Sequence, residues 1–512
     1  MKLGIDFGTT RIVVASADRG NYPLVNFESS DGSFKDFFPS VMAISDAGRV
    51  YGWQALEMQG KPGWTLIRSL KRYLKTAGPN TEIVVDNHHI HVGQAITEMM
   101  AALRTELLHK STLGKLGKKD KLQVMLGVPA NANTNQRFLT EDAARNAGFE
   151  VLGLMNEPSA AALEFANLNS ADRKMKAGSG LLVYDLGGGT FDVSILDLGE
   201  TEHGVIASDG LPDLGGDDFD EILAFLALEL GARPKPDEES LTSAEWYLLF
   251  EECREKKEAL SPNSRKLSID LGRVRKDWEE ISIGVDAFYT KCRPLIESSR
   301  DVVEAVLAAN PEYPIDTLYL TGGGSELPPV ARVLKETFGR RVRRSAYMRS
   351  ATAIGLAIGA EGKEAKPLRD QFTRNFGVWR EADSGNNVIF DVIFPRGIKL
   401  PAKGEVPLRS ARSYHPAHNI GHFRYLECSK LGPENQPEGE ISNWEEIRVA
   451  FDPDLRNSND LAQQPVRRYG NGQSLWVEEE YICDASGEVR VKIQERHTAQ
   501  ANEYRLSQVA RR

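Results

Sequence analysis

The sequence predicts an α/β chain in which two duplicated lobes enclose a polyphosphate site and a small β-sandwich domain follows. Three observations predict this. An apolar run leads twice into an aspartate, glycine and threonine, at Gly4-Ile5-Asp6-Phe7-Gly8-Thr9-Thr10 and at Val183-Tyr184-Asp185-Leu186-Gly187-Gly188-Gly189-Thr190-Phe191-Asp192. Strand-like and helix-like segments alternate after each copy. Beyond residue 361 helical periodicity gives way to short strands broken by Pro, Gly and Asn.

Each loop continues into a second apolar run, Ile12-Val13-Val14-Ala15 and Val193-Ser194-Ile195-Leu196, so each reads as a β-hairpin with small residues at its tip. Glycine lets backbone N–H groups approach an anion, threonine adds a hydroxyl donor, and aspartate can hold a metal-bound water. Two facing tips of this kind can clamp a polyphosphate from both sides.

The remaining elements follow in order. A polar, aromatic stretch over 29–39 leads to a strand at 40–44, and apolar spacing predicts a helix over 64–74 and a longer amphipathic one over 93–108. Residues 110–121 read as a basic surface connection, 122–129 as a strand ended by Pro129, and 134–147 as a helix stopped by Gly148. A buried strand at 151–155 precedes Glu157-Pro158, which opens a small-residue helix over 159–165. The second half repeats the plan with a strand at 205–208, a turn at Gly215-Gly216-Asp217-Asp218 and helices over 219–230, 246–260 and 285–309. Strands at 267–271 and 318–321 intervene, the latter running into Gly322-Gly323-Gly324, and a small-residue helix over 350–360 closes the lobe. The expected division is a nucleotide-binding domain over 1–360, with lobes of about 1–174 and 175–360. A polar linker over 361–372, a β-sandwich over 373–500 (clearest strands 388–394, 422–426 and 489–493) and a tail over 501–512 complete it.

Composition narrows the function classes. The 512 residues are 41% hydrophobic and 27% charged, as in ordinary globular proteins, and the net charge of −10 argues against nucleic-acid and anionic-membrane partners. Cys253, Cys292, Cys428 and Cys483 are far apart and show no metal-ligand spacing, so free thiols in a reducing compartment are expected. Met1-Lys2 run straight into the first strand and no apolar stretch has the ~18–20 residues of a membrane span, so a cytoplasmic location is expected.

The duplicated loops resemble the actin-like, hexokinase-like duplicated ribonuclease-H-type ATPase fold. Further stretches narrow the resemblance to the 70-kDa heat-shock protein (DnaK-type) family. They are Gly127-Val128-Pro129-Ala130 with Asn135-Gln136-Arg137, Asn156-Glu157-Pro158-Ser159-Ala160-Ala161-Ala162, the second loop itself, and Leu214-Gly215-Gly216-Asp217-Asp218-Phe219-Asp220. The resemblance covers about residues 2–360. It implies ATP or ADP with magnesium, and hydrolysis of ATP to ADP and phosphate. Lys71 matches the catalytic lysine that positions the attacking water, and Glu157 the acid that orients the site. Asp6, Asp185 and Asp192 match carboxylates that hold magnesium mostly through water and assist the in-line water, Asp6 and Asp185 in a catalytic role as well. Gly8, Thr9, Thr10, Arg11, Gly187, Gly188, Gly189 and Thr190 would surround the phosphates, with Thr190 also in a catalytic role. Gly215, Gly216 and Asp217 would lie along the nucleotide, and Lys257, Glu258, Ser261, Gly322, Gly323, Gly324, Glu326 and Arg349 at its adenosine end. Implied partners are unfolded polypeptide or a dedicated client, with a J-domain co-chaperone or a nucleotide exchange factor.

Two regions depart from the family pattern. At the adenosine end the family usually has arginine where Glu326 stands, often another cation where Glu258 stands, and an acid where Arg349 stands. Base recognition is therefore expected to be weakened or rearranged, with Glu258, Glu326 and Arg349 free to pair as an ion cluster. In the C-terminal part, Phe376-Gly377-Val378, the stretch 394–401 and the stretch 481–491 match landmarks of the peptide-binding β-domain. A helical lid is not expected after them, and Pro367-Leu368-Arg369-Asp370-Gln371-Phe372 carries charges where the family linker has leucines. The leading reading is a lidless DnaK-like chaperone ATPase. The alternatives are a non-hydrolysing nucleotide-dependent scaffold and, less favoured, a metabolite kinase on the same fold.

Overall fold

The computed structural model describes residues 1–78, 80–114, 121–169, 179–199, 202–231, 241–362, 368–402, 404–444, 446–456, 458, 460–469, 475–496 and 501–505. Half of the basic connection (115–120), part of the linker (363–367) and the end of the tail (506–512) lie outside the described residues. The chain forms two compact units: residues 1–131 with 139–368, and residues 132–138 with 369–512.

The first unit contains the same sheet twice. In the first lobe, hairpin β1 (Lys2–Phe7) and β2 (Arg11–Ser16) is followed by β3 (Phe38–Pro39), β4 (Gln123–Val128) and β5 (Glu150–Asn156), in the order β5-β4-β1-β2-β3. The β1–β2 pair is antiparallel, and β1–β4 and β4–β5 are parallel. In the second lobe, hairpin β6 (Ser179–Leu186) and β7 (Phe191–Leu198) is followed by β8 (His203–Leu211), β9 (Ile315–Thr321) and β10 (Val342–Arg344), in the order β10-β9-β6-β7-β8. Its pairing repeats the first, with β6–β7 antiparallel and β6–β9 and β9–β10 parallel. Residue for residue of the topology, this is an actin-like duplication.

Five helices place the site. They are α1 (Val92–His109), α2 (Glu157–Leu168), α3 (Gly216–Leu230), α4 (Ser243–Glu258) and α5 (Val285–Ala309), and α6 (Ala351–Glu361) closes the unit. Nearly all of α2 and α6 is buried, which explains their run of alanines and glycines: large side chains would hold the two helices apart. Gly355 in α6 has no room for a Cβ, which would overlap the carbonyl oxygen of Ala160 in α2. One face of α2 packs Ala161, Ala162 and Phe165 against Leu181, Val183 and Leu196 of the second sheet. Its Leu163, with Ala353, Ile354 and Ala357 of α6, packs on Val13 and Ala15 of the first sheet. The crossing helices thus join both lobes, and α2 carries Glu157 at its first position.

Three elements differ from the sequence expectation. Residues 64–74 are not one helix: Thr65–Arg68 is a strand paired with Val41–Ser45, and a single turn, Leu70–Tyr73, follows it. Ser69 between them takes a left-handed conformation (φ 59°), and its hydroxyl donates to Asp217 at 2.5 Å. Tertiary pairing outweighs the helical period there. The hairpin Glu82–Val85 with His88–His91 has too short an alternation to stand out in the sequence. The strand expected at 422–426 is broken at Arg424, with Ile420–Phe423 pairing to Ile447–Ala450 and Tyr425–Leu431 to Pro437–Asn443.

The second unit holds two four-stranded sheets around a shared core. The strands of one are Asn387–Phe394, Asn375–Ala382, Tyr425–Leu431 and Pro437–Asn443, and those of the other Leu408–Tyr414, Val477–Cys483, Val489–Glu495 and Ala501–Arg505. Phe376, Phe394, Tyr425, Trp444, Tyr481 and Val491 fill the space between. That interior also contains a charge: buried Glu479 accepts from Arg380 at 3.1 and 2.7 Å and from the Tyr414 and Tyr481 hydroxyls. The four cysteines of the chain are buried and free. Among the described residues, no helix is long and apolar enough to cross a membrane.

Candidate functional site: a nucleotide cleft

The two hairpin tips meet. A Cβ on Gly188 would lie 2.5 Å from the Thr10 hydroxyl, and one on Gly189 would lie 2.7 Å from the Thr9 hydroxyl. Glycine in the second tip is therefore what lets threonine hydroxyls from the first approach bare backbone. The second tip is closed by Gly187 N–H donating to the Thr190 carbonyl at 2.9 Å. Gly216 and Asp217 at the start of α3 donate to the Gly187 and Gly188 carbonyls at 2.9 and 2.8 Å. A backbone cradle for an anion results, open on the side of both tips.

Below it stand four carboxylates and one ammonium. Lys71 Nζ donates to Glu157 Oε1 at 2.6 Å, both side chains being buried. Burial pulls the Lys71 ammonium down, but Glu157 and Asp6 outweigh it and hold the group firmly protonated. Burial, reinforced by Glu157, pushes Asp6 up to about 7, and the same two causes push Asp192 to about 7. Asp185 is raised well above the ordinary carboxylate value by burial, then by Glu157, Asp6 and Asp192. Asp6, Asp185, Asp192 and Glu157 thus share a single cation, and the surplus negative charge suits a divalent ion. Among the described residues, no group of three acidic, His or Cys side chains is arranged to hold a metal ion directly.

Lys71 is placed by contacts that its own segment makes with the second lobe. Arg68 bonds Asp217 at 3.1 Å and Asp220 at 3.3 Å. Arg72 donates to Asp218 at 2.7 Å and to the Gly189 carbonyl at 3.2 Å. Asp217 is thus engaged by Arg68 and Ser69 of the first lobe. These flanking arginines were not singled out in the sequence, where they read as ordinary surface charges.

At the far end of the cleft, Gly322 and Gly324 pack on the second hairpin, and Gly323 lies against Arg349. Gly322 has φ 84°, and a Cβ there would overlap the Leu186 carbonyl oxygen. Lys257 donates to the Gly216 carbonyl at 2.5 Å and pairs with Asp220 at 2.7 Å, so it ties α4 to α3. Glu258, Glu326 and Arg349 form an ion cluster: Arg349 Nη1 donates to Glu258 at 3.1 Å, and its Nε and Nη2 donate to Glu326 at 2.7 and 2.5 Å. Arg11 of the first hairpin also bonds Glu258. Ser261 is exposed, hydrogen-bonds Ser264 and does not line the cleft. Residues along it that the sequence did not single out include Arg254, Asp220, Met348 and Thr352.

Residues 2–367 match the family described as Hsp70 protein. The chain belongs to the Hsp70 family. A protein named Chaperone protein DnaK from Thermotoga neapolitana is 32% identical over 432 residues, covering 78% of this chain and 66% of that protein. Another of the same name, from Thermosipho melanesiensis, is 30% identical over 514 residues, covering 92% of this chain and 78% of that protein. The chain therefore spans just under two thirds of the first of these relatives. One end of the cleft brings together Asp6, Lys71, Glu157, Asp185, Asp192 and both loop tips. The other end carries the cluster of Glu258, Glu326 and Arg349.

Proposed function

We propose that this chain is a DnaK-like ATPase, with residues 1–360 binding and hydrolysing ATP and the β-domain over 373–500 holding polypeptide or a dedicated client. The observation that carries this reading is the buried Lys71–Glu157 pair, set among Asp6, Asp185 and Asp192 directly beneath two facing glycine-threonine tips.

Phosphoryl transfer to water needs alignment and charge neutralisation more than a strong base. Thr9, Thr10 and the amides of both tips donate to phosphate oxygens. The Lys71 ammonium, oriented by Glu157, faces the transferred group and its attacking water. Asp6, Asp185 and Asp192 would hold hydrated magnesium, whose charge offsets that of the phosphates when bound. The carboxylate beside the attacking water accepts its hydrogen bond and aligns it.

A second reading, a nucleotide-dependent scaffold without turnover, is favoured by one observation: the ion cluster of Glu258, Glu326 and Arg349 at the base end. ATP turnover by the full chain, with and without an unfolded polypeptide, separates the readings. Turnover stimulated by polypeptide supports the chaperone. Nucleotide binding without turnover supports the scaffold, and turnover only with an added small-molecule acceptor supports a kinase.

A further inference from the structure

We propose that Glu258, Glu326, Arg349 and Arg11 make this cleft nearly indifferent to the nucleobase, so that nucleoside triphosphates are selected by their phosphates. The inference rests on the nucleotide-binding reading above and concerns only which nucleotides that site accepts.

The charged groups at the base end are satisfied by one another. All three nitrogens of the Arg349 guanidinium face carboxylates, Nε and Nη2 on Glu326 and Nη1 on Glu258. Glu258 also receives Arg11 and, at 3.4 Å, Arg254. Arg11 in turn lies over the Phe37 ring at 4.6 Å. Burial alone would raise the Glu258 carboxyl, but Arg11, Arg254 and Arg349 hold it at about 2, so that carboxylate stays ionised across the physiological range.

Reading a base edge would require one of these groups to leave a charged partner for a neutral one. The contacts these groups already make are charge-assisted, so the neutral edge of a base competes poorly for them. Neutral side-chain donors and acceptors, which usually set ligand orientation, are few along the cleft. Among the described residues lining it there is no Asn, Gln, Ser, Tyr or His; Thr9, Thr10 and Thr190 lie at the phosphate tips, and Thr352 borders Gly127 beside Glu157. The phosphate end, by contrast, is built of backbone amides, threonine hydroxyls and Lys71. Discrimination and affinity therefore separate along the cleft.

Equilibrium binding of ATP, GTP, CTP and tripolyphosphate to the full chain, each with magnesium, tests this. The expected result is that the three nucleotides bind within about fivefold of one another and that tripolyphosphate competes with them. In Glu258→Gln/Glu326→Gln, which frees Arg349 and Arg11, the spread among the three is expected to widen to beyond about tenfold. Binding of ATP more than about a hundredfold tighter than GTP and CTP to the wild-type chain overturns the inference but leaves the ATPase reading standing. A spread that does not change in the double variant overturns the assignment to these residues. No binding of any of the four overturns the nucleotide reading itself.

Discussion

Lys71 Nζ lies 2.6 Å from Glu157 Oε1, and this buried pair ties the one-turn helix Leu70–Tyr73 to the first residue of α2. Lys71 is the cation that Asp6 and Asp192 also feel. Its removal leaves a cluster of buried carboxylates unbalanced, so Lys71→Ala is expected to destabilise the first unit by roughly 3–5 kcal/mol. Lys71→Met with Glu157→Gln, which removes the ion pair altogether, should recover most of that loss. Urea unfolding followed by tryptophan fluorescence checks both.

Glu164 offers a pH-dependent term away from the nucleotide. Its carboxyl is buried and accepts from the Tyr319 hydroxyl at 2.7 Å, and burial, only partly offset by that hydrogen bond, pushes its pKa up to about 7. A raised folded-state pKa means the folded chain binds a proton that the unfolded chain has released. The stabilisation is full below about 4.5, the unfolded value, and is lost as pH rises through about 7. Glu164→Gln should therefore gain on the order of 2–3 kcal/mol relative to wild type at pH 8 and nothing at pH 4.5. Thermal unfolding across that range, compared between the two chains, measures the difference.

The helix crossing at Gly355 has no slack. A methyl group there meets backbone rather than a flexible side chain, so Gly355→Ala is expected to cost about 2–3 kcal/mol and Gly355→Val more. Because α2 and α6 together bear on both sheets, the same variant should lower ATP turnover without touching any residue of the cleft. Cleavage rates and unfolding midpoints, measured on one preparation, test the link.

In the second unit, Glu479 is the buried acceptor for Arg380, Tyr414 and Tyr481. Glu479→Ala leaves the Arg380 guanidinium with Asp391 and removes the acceptor of two buried hydroxyls, and is expected to destabilise that unit by about 3–5 kcal/mol. Arg409→Ala, which removes an exposed side chain paired with half-buried Glu480, should change it by less than about 1 kcal/mol. Denaturant unfolding of the two variants gives the comparison.

Much of this was legible in the sequence, for a physical reason. Hairpins with a fixed order of Asp, Gly and Thr encode their own backbone geometry, so Asp6, Thr9, Asp185 and Gly188 could be assigned before any contact was known. The small-residue helices were legible because close packing leaves a compositional trace in Ala160, Ala161, Ala353 and Gly355. What was not legible depends on partners far apart in sequence. Ser69 is left-handed because Asp217 holds its hydroxyl, and nothing within the stretch 64–74 announces that. Arg68 and Arg72 look like solvated charges until α3 is placed opposite them. The pairing of Arg349 with Glu258 and Glu326 was suggested by the swapped charges alone, while Arg11 joins from another lobe without any local signal. Ser261, assigned by its match to the family's adenosine-contacting helix, faces solvent because the helix ends at Glu258.

Single-turnover ATP hydrolysis by wild type and by a folded Asp185→Asn chain tests the central claim most directly, with ATP binding measured on both. The phosphate end as built predicts turnover by the wild type, and a loss of about a hundredfold or more in the variant while ATP binding stays within about tenfold. Wild-type binding without any turnover, or turnover unchanged by Asp185→Asn, would contradict it.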